Sequence, residues 1–419
     1  MFTRKKLIGS RQPFRSATEI EGIPLQNLLS DAEINPAYTH IARLYPLTPI
    51  VPYDRFTADG VTVVLWAKLD TLRLTGSFKG RGSEYCVYKA VSSGALVEGS
   101  VVVTSSAGNH AKGLIEAARL HNLIPVVFMA EKTPENKVAA CRENGAAVVL
   151  VEGGYEEASL EAKAFYHTRE TTGLMRGQLQ PSLLEQIARA EKLEYVPAFE
   201  HPDVIMGQGT VASEAMMQLQ QEIIFVDFMI APYGGGGLTN GMAFAARHVH
   251  NGEHEPPLVY GAQAYNFNSM AESWRAGKLS GPVSRGETIA DGIRVVKPSQ
   301  RMLELSRHLL AGIEDVTEEQ IRNAIVRVSR NKGLAEIQKA PIDELIQYGF
   351  TAPHIRLRGR ISVVEGAAAA AFALAYSGKI PYGEIAHARK TDELHGVIVA
   401  SGNNIDAPVW RNIVASNPE

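Results

Sequence analysis

The chain has 419 residues, 45% of them hydrophobic and 21% charged, and its formal net charge is −3. This length predicts two domains, or one domain with a large insertion, and the composition is that of a globular protein. The small net charge and the lack of long like-charge runs argue against a nucleic-acid partner, and the longest apolar run, 367–376, is too short to span a bilayer.

Strand-like and helix-like segments alternate along the chain from about residue 60. Apolar and β-branched runs predict strands at 61–69, 101–104, 125–129, 147–151, 226–231 and 258–262. Helices are predicted at 83–91, 111–121, 135–144 and 156–171. Thr133 is the expected N-cap of the helix at 135–144, with Pro134 in its first turn. Continuous apolar strands separated by helices predict a parallel sheet covered on both faces.

The chain after residue 300 is predicted to be mostly helical. Thr317 is the expected N-cap of a helix whose first turn is acidic. The Ala-rich segment 363–376 predicts a buried helix, and 396–400 is the last predicted strand. Segment 339–359 fits the alternation poorly and is interpreted as an insertion.

Four consecutive glycines stand between a predicted strand and a predicted helix, in the sequence YGGGGLTNG at 233–241. Glycines let backbone amides converge, and a helix N-terminus adds positive potential, so this loop predicts a cradle for an anion such as phosphate. It is not a Walker loop, because no Gly-Lys-Ser/Thr follows, and its spacing is not that of GxGxxG in the usual context. The alternative is a flexible turn. The glycines are Gly234, Gly235, Gly236 and Gly237.

A second loop, TSSAGNH at 104–110, also follows a predicted strand and precedes a predicted helix. Its small residues expose backbone amides, and its serine, asparagine and histidine side chains add hydrogen-bonding groups. This combination suits a carboxylate. The alternative is simple helix capping by serine or asparagine.

The third candidate is Lys79, in TGSFKGRG at 75–82. A lysine in apolar or cationic surroundings can act as a nucleophilic amine towards an aldehyde. The alternative is a solvated lysine at a turn. An amine, a phosphate cradle and a carboxylate loop together suggest an aldehyde cofactor that carries a phosphate and is bound beside an amino-acid substrate. Pyridoxal phosphate fits that description.

The stretch LDTLRLTGSFKGRG at 69–82 resembles the lysine motif of fold type II (tryptophan-synthase-β-like) pyridoxal-phosphate enzymes, and most closely that of threonine/serine dehydratases and serine racemases. Further segments resemble the family in the same order: SSAGNHAKG, GQGT, the glycine loop, TIADG, VVEGAA and SGNN. They extend over about residues 60 to 405.

The resemblance implies a role for each matching residue. Lys79 is implied to bind the cofactor aldehyde and then to remove the substrate α-proton. Phe78 is implied to pack against the cofactor ring, Asn109 to hydrogen-bond its 3′-oxygen, and Ser401 to face its pyridine nitrogen. The residues implied to hold the phosphate are the four glycines and the following Leu238. The residues implied to grip the substrate carboxylate are Ser106, Ala107, Gly108, Asn109 and His110.

Three residues discriminate within the family. His110 argues against cysteine synthases and threonine synthases, whose corresponding loops usually lack it. Ala107 stands where serine racemases have a serine that exchanges a proton, so elimination is favoured over racemisation. Gln263 stands where metal-binding relatives tend to have glutamate, and a neutral amide is a poor ligand for a hard divalent cation. No metal site is therefore predicted.

The implied fold is α/β, with two open twisted, mostly parallel sheets flanked by helices and the cofactor in the cleft between domains. The expected domains are a large cofactor-binding domain at 1–98 and 184–419 and a small substrate-loop domain at 99–183.

The implied reaction is elimination from a β-hydroxy amino acid, L-threonine or L-serine, which gives a 2-oxo acid and ammonia. The alternatives are a racemase or β-replacement enzyme of the same fold, and a regulatory or binding homologue without catalysis. The expected partners are the amino-acid substrate and further copies of the chain, as a homodimer or higher homo-oligomer, without nucleic acid or membrane. The two cysteines, Cys86 and Cys141, are expected on helices as small apolar residues in a reducing cytoplasm.

Overall fold

The computed structural model of the protein describes residues 13–170, 172–249 and 254–416. Backbone contacts divide the chain into two compact units. The first unit comprises Met1–Ala37 and Lys79–Gly207, and the second comprises Tyr38–Phe78 and Gln208–Glu419. The predicted domain boundary at 99–183 stays a prediction.

The strands are β1 (Ile50–Ala58), β2 (Val61–Lys68), β3 (Val101–Ser105), β4 (Ile124–Ala130), β5 (Ala147–Val151), β6 (Leu193–Tyr195), β7 (Phe228–Pro232), β8 (Leu258–Ala264), β9 (Gly312–Val316) and β10 (Glu393–Val399).

The helices of the first half are α1 (Asp31–Leu44), α2 (Lys79–Ser92), α3 (Asn109–Leu120), α4 (Glu135–Glu143), α5 (Tyr155–Thr168), α6 (Gly173–Gln178), α7 (Pro181–Arg189) and α8 (Pro202–Gln221). Those of the second half are α9 (Gly237–Val249), α10 (Ser269–Ala276), α11 (Gln300–Leu309), α12 (Glu318–Ser329), α13 (Lys332–Lys339), α14 (Ile342–Gln347), α15 (Ala352–Leu357), α16 (Gly366–Ala375), α17 (Tyr382–Arg389) and α18 (Ala407–Ser416).

The first unit is built on a four-stranded sheet in the order β5-β4-β3-β6, in which every neighbouring pair is parallel. The strands are almost continuously apolar and buried, as in Val101–Ser105. A strand with this pattern has both faces covered by other elements, which is the environment of a parallel sheet. Loop 104–110 lies at the carboxyl end of β3 and leads into α3.

The second unit is built on a six-stranded sheet in the order β1-β2-β10-β7-β8-β9. The β1–β2 pair is antiparallel and the other pairs are parallel. Helix α16 packs on β7, β8, β9 and α12, and all ten of its residues are buried. The small alanine side chains allow neighbouring elements to approach this helix closely on several sides. A helix that is apolar on all sides is also expected to be buried on all sides.

The architecture predicted from the sequence is confirmed: two mostly parallel sheets flanked by helices. Thr317 caps α12 as predicted, with its side chain accepting from the amide of Gln320. The N-cap prediction for α4 is wrong. Pro134, with extended ψ of 134°, occupies the cap position, and the Thr133 amide instead closes a turn onto the Ala130 carbonyl.

Three strands escaped prediction: β1, β6 and β9. Strand β1 is an edge strand that contains Pro52 and polar residues, and β6 has only three residues. Strand β9 has the sequence GIEDV. Its Asp315 is buried and forms ion pairs with Arg275 and Lys379. Segment 339–359 forms the short helices α14 and α15 together with the end of α13.

Among the residues that the structure describes, no helix combines the length and the apolar character that a membrane span requires.

Candidate functional site

Lys79 is the first residue of α2, in the first unit. Its side chain is half-buried, and its Nζ donates a hydrogen bond to the carbonyl oxygen of Ala198 at 2.8 Å. One hydrogen bond therefore ties this partly exposed lysine side chain to the backbone of Ala198.

A glycine inside α3 brings that helix against the backbone of Lys79. A Cβ added to Gly113 would lie 3.0 Å from both the carbonyl carbon of Lys79 and the nitrogen of Gly80. Real Cβ contacts are rarely this short, so only glycine allows α2 and α3 to approach here without displacement. The start of α2, which carries Lys79, thus lies directly against α3.

Loop 104–110 turns from β3 into α3. The amide of Ser106 donates to the carbonyl of Phe128, and the amide of Gly108, the N-cap residue, donates to Ser106 Oγ at 3.2 Å. Within the described residues, the backbone amides of Ala107 and His110 have no acceptor. These amides lie at the N-terminus of a twelve-residue helix, where the helix dipole favours an anion.

The side chain of His110 is buried, with 2% of its surface exposed. Its Nε2 lies 2.9 Å from the carbonyl of Val196, and its Nδ1 lies 3.4 Å from Ser83 Oγ. Burial, and after it the charge of Lys79, lowers the pKa of His110 to about 3. The ring is therefore neutral near pH 7, with the proton on Nε2, as assigned from its carbonyl partner. The group that His110 offers to a ligand is its backbone amide.

The glycine loop of the second unit joins β7 to α9. Among the described residues, the amides of Gly234, Gly235, Gly236 and Gly237 have no acceptor. Gly236 has φ of +87°, and a Cβ there would lie 2.4 Å from the hydroxyl oxygen of Tyr233. That hydroxyl is fixed 2.8 Å from Ser306 Oγ. Four unsatisfied amides beside the N-terminus of α9 fit a phosphate group, and the leucine that follows them, Leu238, is buried in the first helical turn.

Ser401 lies just after β10, also in the second unit, and is buried with 1% of its surface exposed. Its carbonyl accepts a hydrogen bond of 3.0 Å from the amide of Phe78, whose ring is buried too. The asparagines after Ser401 bind the same segment. Asn403 Nδ2 donates to the carbonyl of Thr71, and Asn404 Nδ2 to that of Thr75. The lysine motif and the C-terminal segment are thus joined by side chains and main chain.

Each unit therefore gathers its own share of the predicted residues. The first unit holds Lys79 together with Ser106, Ala107, Gly108, Asn109 and His110. The second unit holds Phe78 and Ser401, together with Gly234, Gly235, Gly236, Gly237 and Leu238. The roles predicted for these residues stay predictions.

Gln263 is buried at the end of β8, and its Oε1 accepts a hydrogen bond of 2.8 Å from the amide of Ala271 in α10. The side chain thus links β8 to α10 directly.

Sequence reasoning missed the residues that support the site. Gly113 ends the segment SSAGNHAKG, and an isolated glycine in a helical pattern can signal a close approach of two backbones. Gly207, in GQGT, has the same function: a Cβ there would lie 2.5 Å from the carbonyl oxygen of Arg81 in α2. Glu365, in VVEGAA, is buried against the segment that follows Ser401.

A family model described as "pyridoxal-phosphate dependent enzyme" matches residues 41–336. The chain is 28% identical over 318 residues to the catabolic L-threonine dehydratase TdcB of Escherichia coli K12, a match that covers 75% of this chain and 86% of that protein. It is 34% identical over 282 residues to an L-threonine ammonia-lyase of Geobacter sulfurreducens, a match that covers 67% of this chain and 61% of that protein.

Among solved structures, a threonine deaminase from T.th. is similar with a TM-score of 0.64 and 25% sequence identity. The similarity covers 89% of this chain and 98% of that one.

Proposed function

Because this chain belongs to the pyridoxal-phosphate-dependent enzyme family, we propose that it removes ammonia from a β-hydroxy amino acid, L-threonine or L-serine. The products are 2-oxobutyrate from threonine or pyruvate from serine. The family model and the similarity to threonine dehydratases confirm the family, the cofactor and the enzyme class expected from the motifs. The class is a pyridoxal-phosphate-dependent lyase. The substrate is the part that we propose.

The observation that carries the proposal is the packing of the Lys79 backbone on α3, the helix that begins in the loop that suits a carboxylate. When bound, pyridoxal phosphate supplies an electron sink that weakens the α C–H bond of an amino acid. Lys79 would hold its aldehyde carbon, and Gly234 to Gly237 its phosphate. Phe78, Asn109 and Ser401 would hold the ring.

Lys79 acts as a base only while its amine is free of an extra proton. The carbonyl oxygen of Ala198 accepts a hydrogen bond from Lys79 Nζ and thereby orients the amine. The neighbouring His110 is neutral near pH 7, so it places no second positive charge beside the lysine. Lys79 can then take the α-proton of the substrate, after which the β-hydroxyl leaves with a proton as water.

The substrate carboxylate would be bound by backbone amides at the start of α3, including those of Ala107 and His110. Binding of the carboxylate there would restrict the orientation of the amino acid relative to Lys79, which is what proton abstraction requires. The elimination releases an enamine, which takes up one water and gives up ammonia. The water lost and the water gained balance, so the net change is the loss of ammonia.

Ala107 supports elimination over racemisation. A racemase needs a second proton-transfer group on the face of the α-carbon opposite Lys79, and the methyl group of Ala107 cannot carry a proton. α-Deuterium exchange and product chirality in deuterium oxide would reveal the racemase alternative: D-amino acid that accumulates without 2-oxo acid would overturn the proposal.

The direct test is to incubate the holoenzyme with L-threonine and with L-serine and to measure 2-oxo acid and ammonia. We expect equal amounts of both products. Lys79→Ala should abolish turnover and the visible absorbance of the protein-bound cofactor, whereas Lys132→Ala, at an exposed lysine, should change neither. Holoenzyme that releases no 2-oxo acid from either substrate would contradict the proposal.

We further propose that the protein is a homodimer or higher homo-oligomer located in the cytoplasm. Light scattering coupled to size-exclusion chromatography should give a mass at least twice that of the 45.5 kDa chain. A mass of one chain would contradict this proposal, and cell fractionation tests the location.

A further inference from the structure

Glu365 is a buried carboxylate at the N-cap of α16, with 5% of its surface exposed. Its Oε2 accepts a hydrogen bond of 3.0 Å from the amide of Asn404. Its own amide donates to the carbonyl of Gly402 at 3.0 Å. Two hydrogen bonds therefore tie this one residue to the segment that begins with Ser401.

The other carboxylate oxygen packs against glycine. A Cβ added to Gly402 would lie 2.5 Å from Glu365 Oε1. The carboxylate therefore occupies the space in which any other residue at 402 would place its side chain. Since Gly402 is covalently joined to Ser401, the position of the carboxylate sets the path of the main chain at Ser401.

The same carboxylate reaches the segment that backs the glycine loop. A Cβ added to Gly292 would lie 3.6 Å from Glu365 Oε1. The carbonyl oxygen of Gly292 and the Cα of Ile293 would in turn lie 3.4 and 3.2 Å from a Cβ on Gly234. Gly292 therefore lies between the carboxylate and the first glycine of the loop.

The start of α16 is fixed on this segment by its own close approach. A Cβ added to Gly366 would lie 2.2 Å from the carbonyl oxygen of Ile289. Glu365 and Gly366 thus stand between the segment 289–293 and the segment 401–404, and each contact is within the second unit.

We propose that Glu365 is a positioning residue that fixes Ser401 relative to the phosphate-binding glycine loop. This inference rests on the proposed cofactor roles of Ser401 and Gly234. The cofactor would touch both of those residues, so an error in their separation would tilt its ring or loosen its phosphate. A carboxylate suits the position because neither of its oxygens carries a proton, so Oε2 can accept from the Asn404 amide while Oε1 packs on Gly402, whereas a carboxamide would turn an N–H group towards one of these two residues.

The test compares the holoenzymes of the wild type, Glu365→Gln and Glu365→Ala. Glu319→Gln, at an exposed glutamate in the first turn of α12, is the matched control. The measurements are the dissociation constant for pyridoxal phosphate, by titration of the apoprotein, and the induced circular dichroism of the bound cofactor. Neither measurement involves substrate.

Glu365→Gln should weaken cofactor binding by about 5- to 30-fold, the effect expected of one misplaced buried contact. Its induced circular dichroism should change in shape or sign, and the control should match the wild type. If Glu365→Gln binds the cofactor with wild-type affinity and dichroism but unfolds at lower urea, Glu365 is only a helix cap and the proposal is overturned.

A second variant keeps the test informative if Glu365→Ala does not fold. Gly402→Ala places a methyl group where the carboxylate lies, so it should weaken cofactor binding on its own. In the Glu365→Gln background its additional effect should be smaller than in the wild type, because the same contact has already been disturbed. Strictly additive effects would overturn the proposal.

Failure of the proposed function is distinguishable from failure of this inference. A wild-type holoenzyme that deaminates neither threonine nor serine overturns the substrate assignment alone. The cofactor-binding comparison between Glu365→Gln and Glu319→Gln decides the role of Glu365 in either case.

Discussion

His110 shows how burial decides what a residue contributes. Its ring contacts Val196 and Ser83, and its pKa is lowered to about 3, first by burial. An unfolded histidine has a pKa near 6.5, so between these values the unfolded chain binds the additional proton. The stabilisation from neutral His110 is complete above about pH 6.5 and is lost as the pH falls towards 3.

His110→Gln should remove this pH dependence, because the amide can still donate to the Val196 carbonyl but does not titrate. Between pH 6.5 and 4.5 the wild type should lose about 2 kcal/mol more of its unfolding free energy than the variant does. Urea denaturation across this range measures the difference. His308→Gln, at an exposed position of α11, should follow the wild-type profile, and parallel profiles for His110→Gln and wild type would contradict the prediction.

Glycine is required at position 236 because the backbone there has positive φ and because the Tyr233 side chain lies close to it. Alanine there would need φ of +87° and would place its Cβ 2.4 Å from the Tyr233 hydroxyl oxygen. Gly236→Ala should therefore distort the four-glycine loop and weaken cofactor affinity at least about tenfold, equivalent to about 1.4 kcal/mol. The control is Gly281→Ala, an exposed position with space for a methyl group. Titration of both apoproteins with pyridoxal phosphate compares them, and equal affinities would refute the role of the loop.

At the scale of secondary-structure elements, Gly113 allows α2 to pack closely on α3. Gly113→Ala places a Cβ 3.0 Å from backbone atoms of Lys79 and Gly80, which cannot rotate away. We expect a loss of about 1–3 kcal/mol of unfolding free energy and a lower turnover number, because the helix that carries Lys79 must shift. Gly177→Ala, in α6 with space for a methyl group, should keep wild-type turnover. Wild-type stability and turnover in Gly113→Ala would contradict the predicted contact.

A buried ion pair supports the segment that leads to Lys79. Lys68, the last residue of β2, is fully buried, and its Nζ lies 2.7 Å from Glu214 Oε1 and 2.6 Å from Gln218 Oε1. Thr48 joins the same cluster: its Oγ1 lies 2.7 Å from Asp70 Oδ1 and 3.0 Å from Glu214 Oε1. The cluster thus anchors Asp70, the second residue of the lysine motif.

Glu214→Gln should cost about 3–5 kcal/mol of unfolding free energy, because it leaves the Lys68 ammonium buried without its carboxylate. The double variant Lys68→Met/Glu214→Leu should cost less than this single change, because it removes both charges together. Urea unfolding of the apoproteins compares the variants. A double variant as unstable as Glu214→Gln would show that packing, and not charge, dominates this cluster.

At the scale of the whole molecule, both cysteines are free and buried, Cys86 on α2 and Cys141 on α4. Burial raises the pKa of both thiols. The native holoenzyme should therefore react slowly with a thiol reagent, whereas protein unfolded in urea should react at both cysteines. The time course of labelling measures this, and a thiol that reacts within seconds in the native protein would contradict the predicted burial.

Much of the fold follows from sequence patterns. The strands of both sheets that are apolar along their length were predicted within a few residues, because burial on both faces leaves a continuous signal. Strands β1, β6 and β9 were missed, because an edge position, a length of three residues and a buried ion-paired aspartate each remove that signal. The cap prediction for Thr133 fails because Pro134 has extended ψ and takes the cap position, which leaves Thr133 one residue before the cap.

The sequence by itself determined the family, the cofactor and the residues proposed to carry the chemistry, because these depend on residue types and on motifs in a fixed order. Only the tertiary structure decided which backbone amides in these motifs lack a hydrogen-bond acceptor within the part of the protein that the structure describes. It buries the ring of His110 and leaves its amide without one among the described residues, and it brings Glu365 against Gly402. The physical reason is that a buried polar atom takes its partner from whichever segment folding brings near, and that segment is often distant in the sequence.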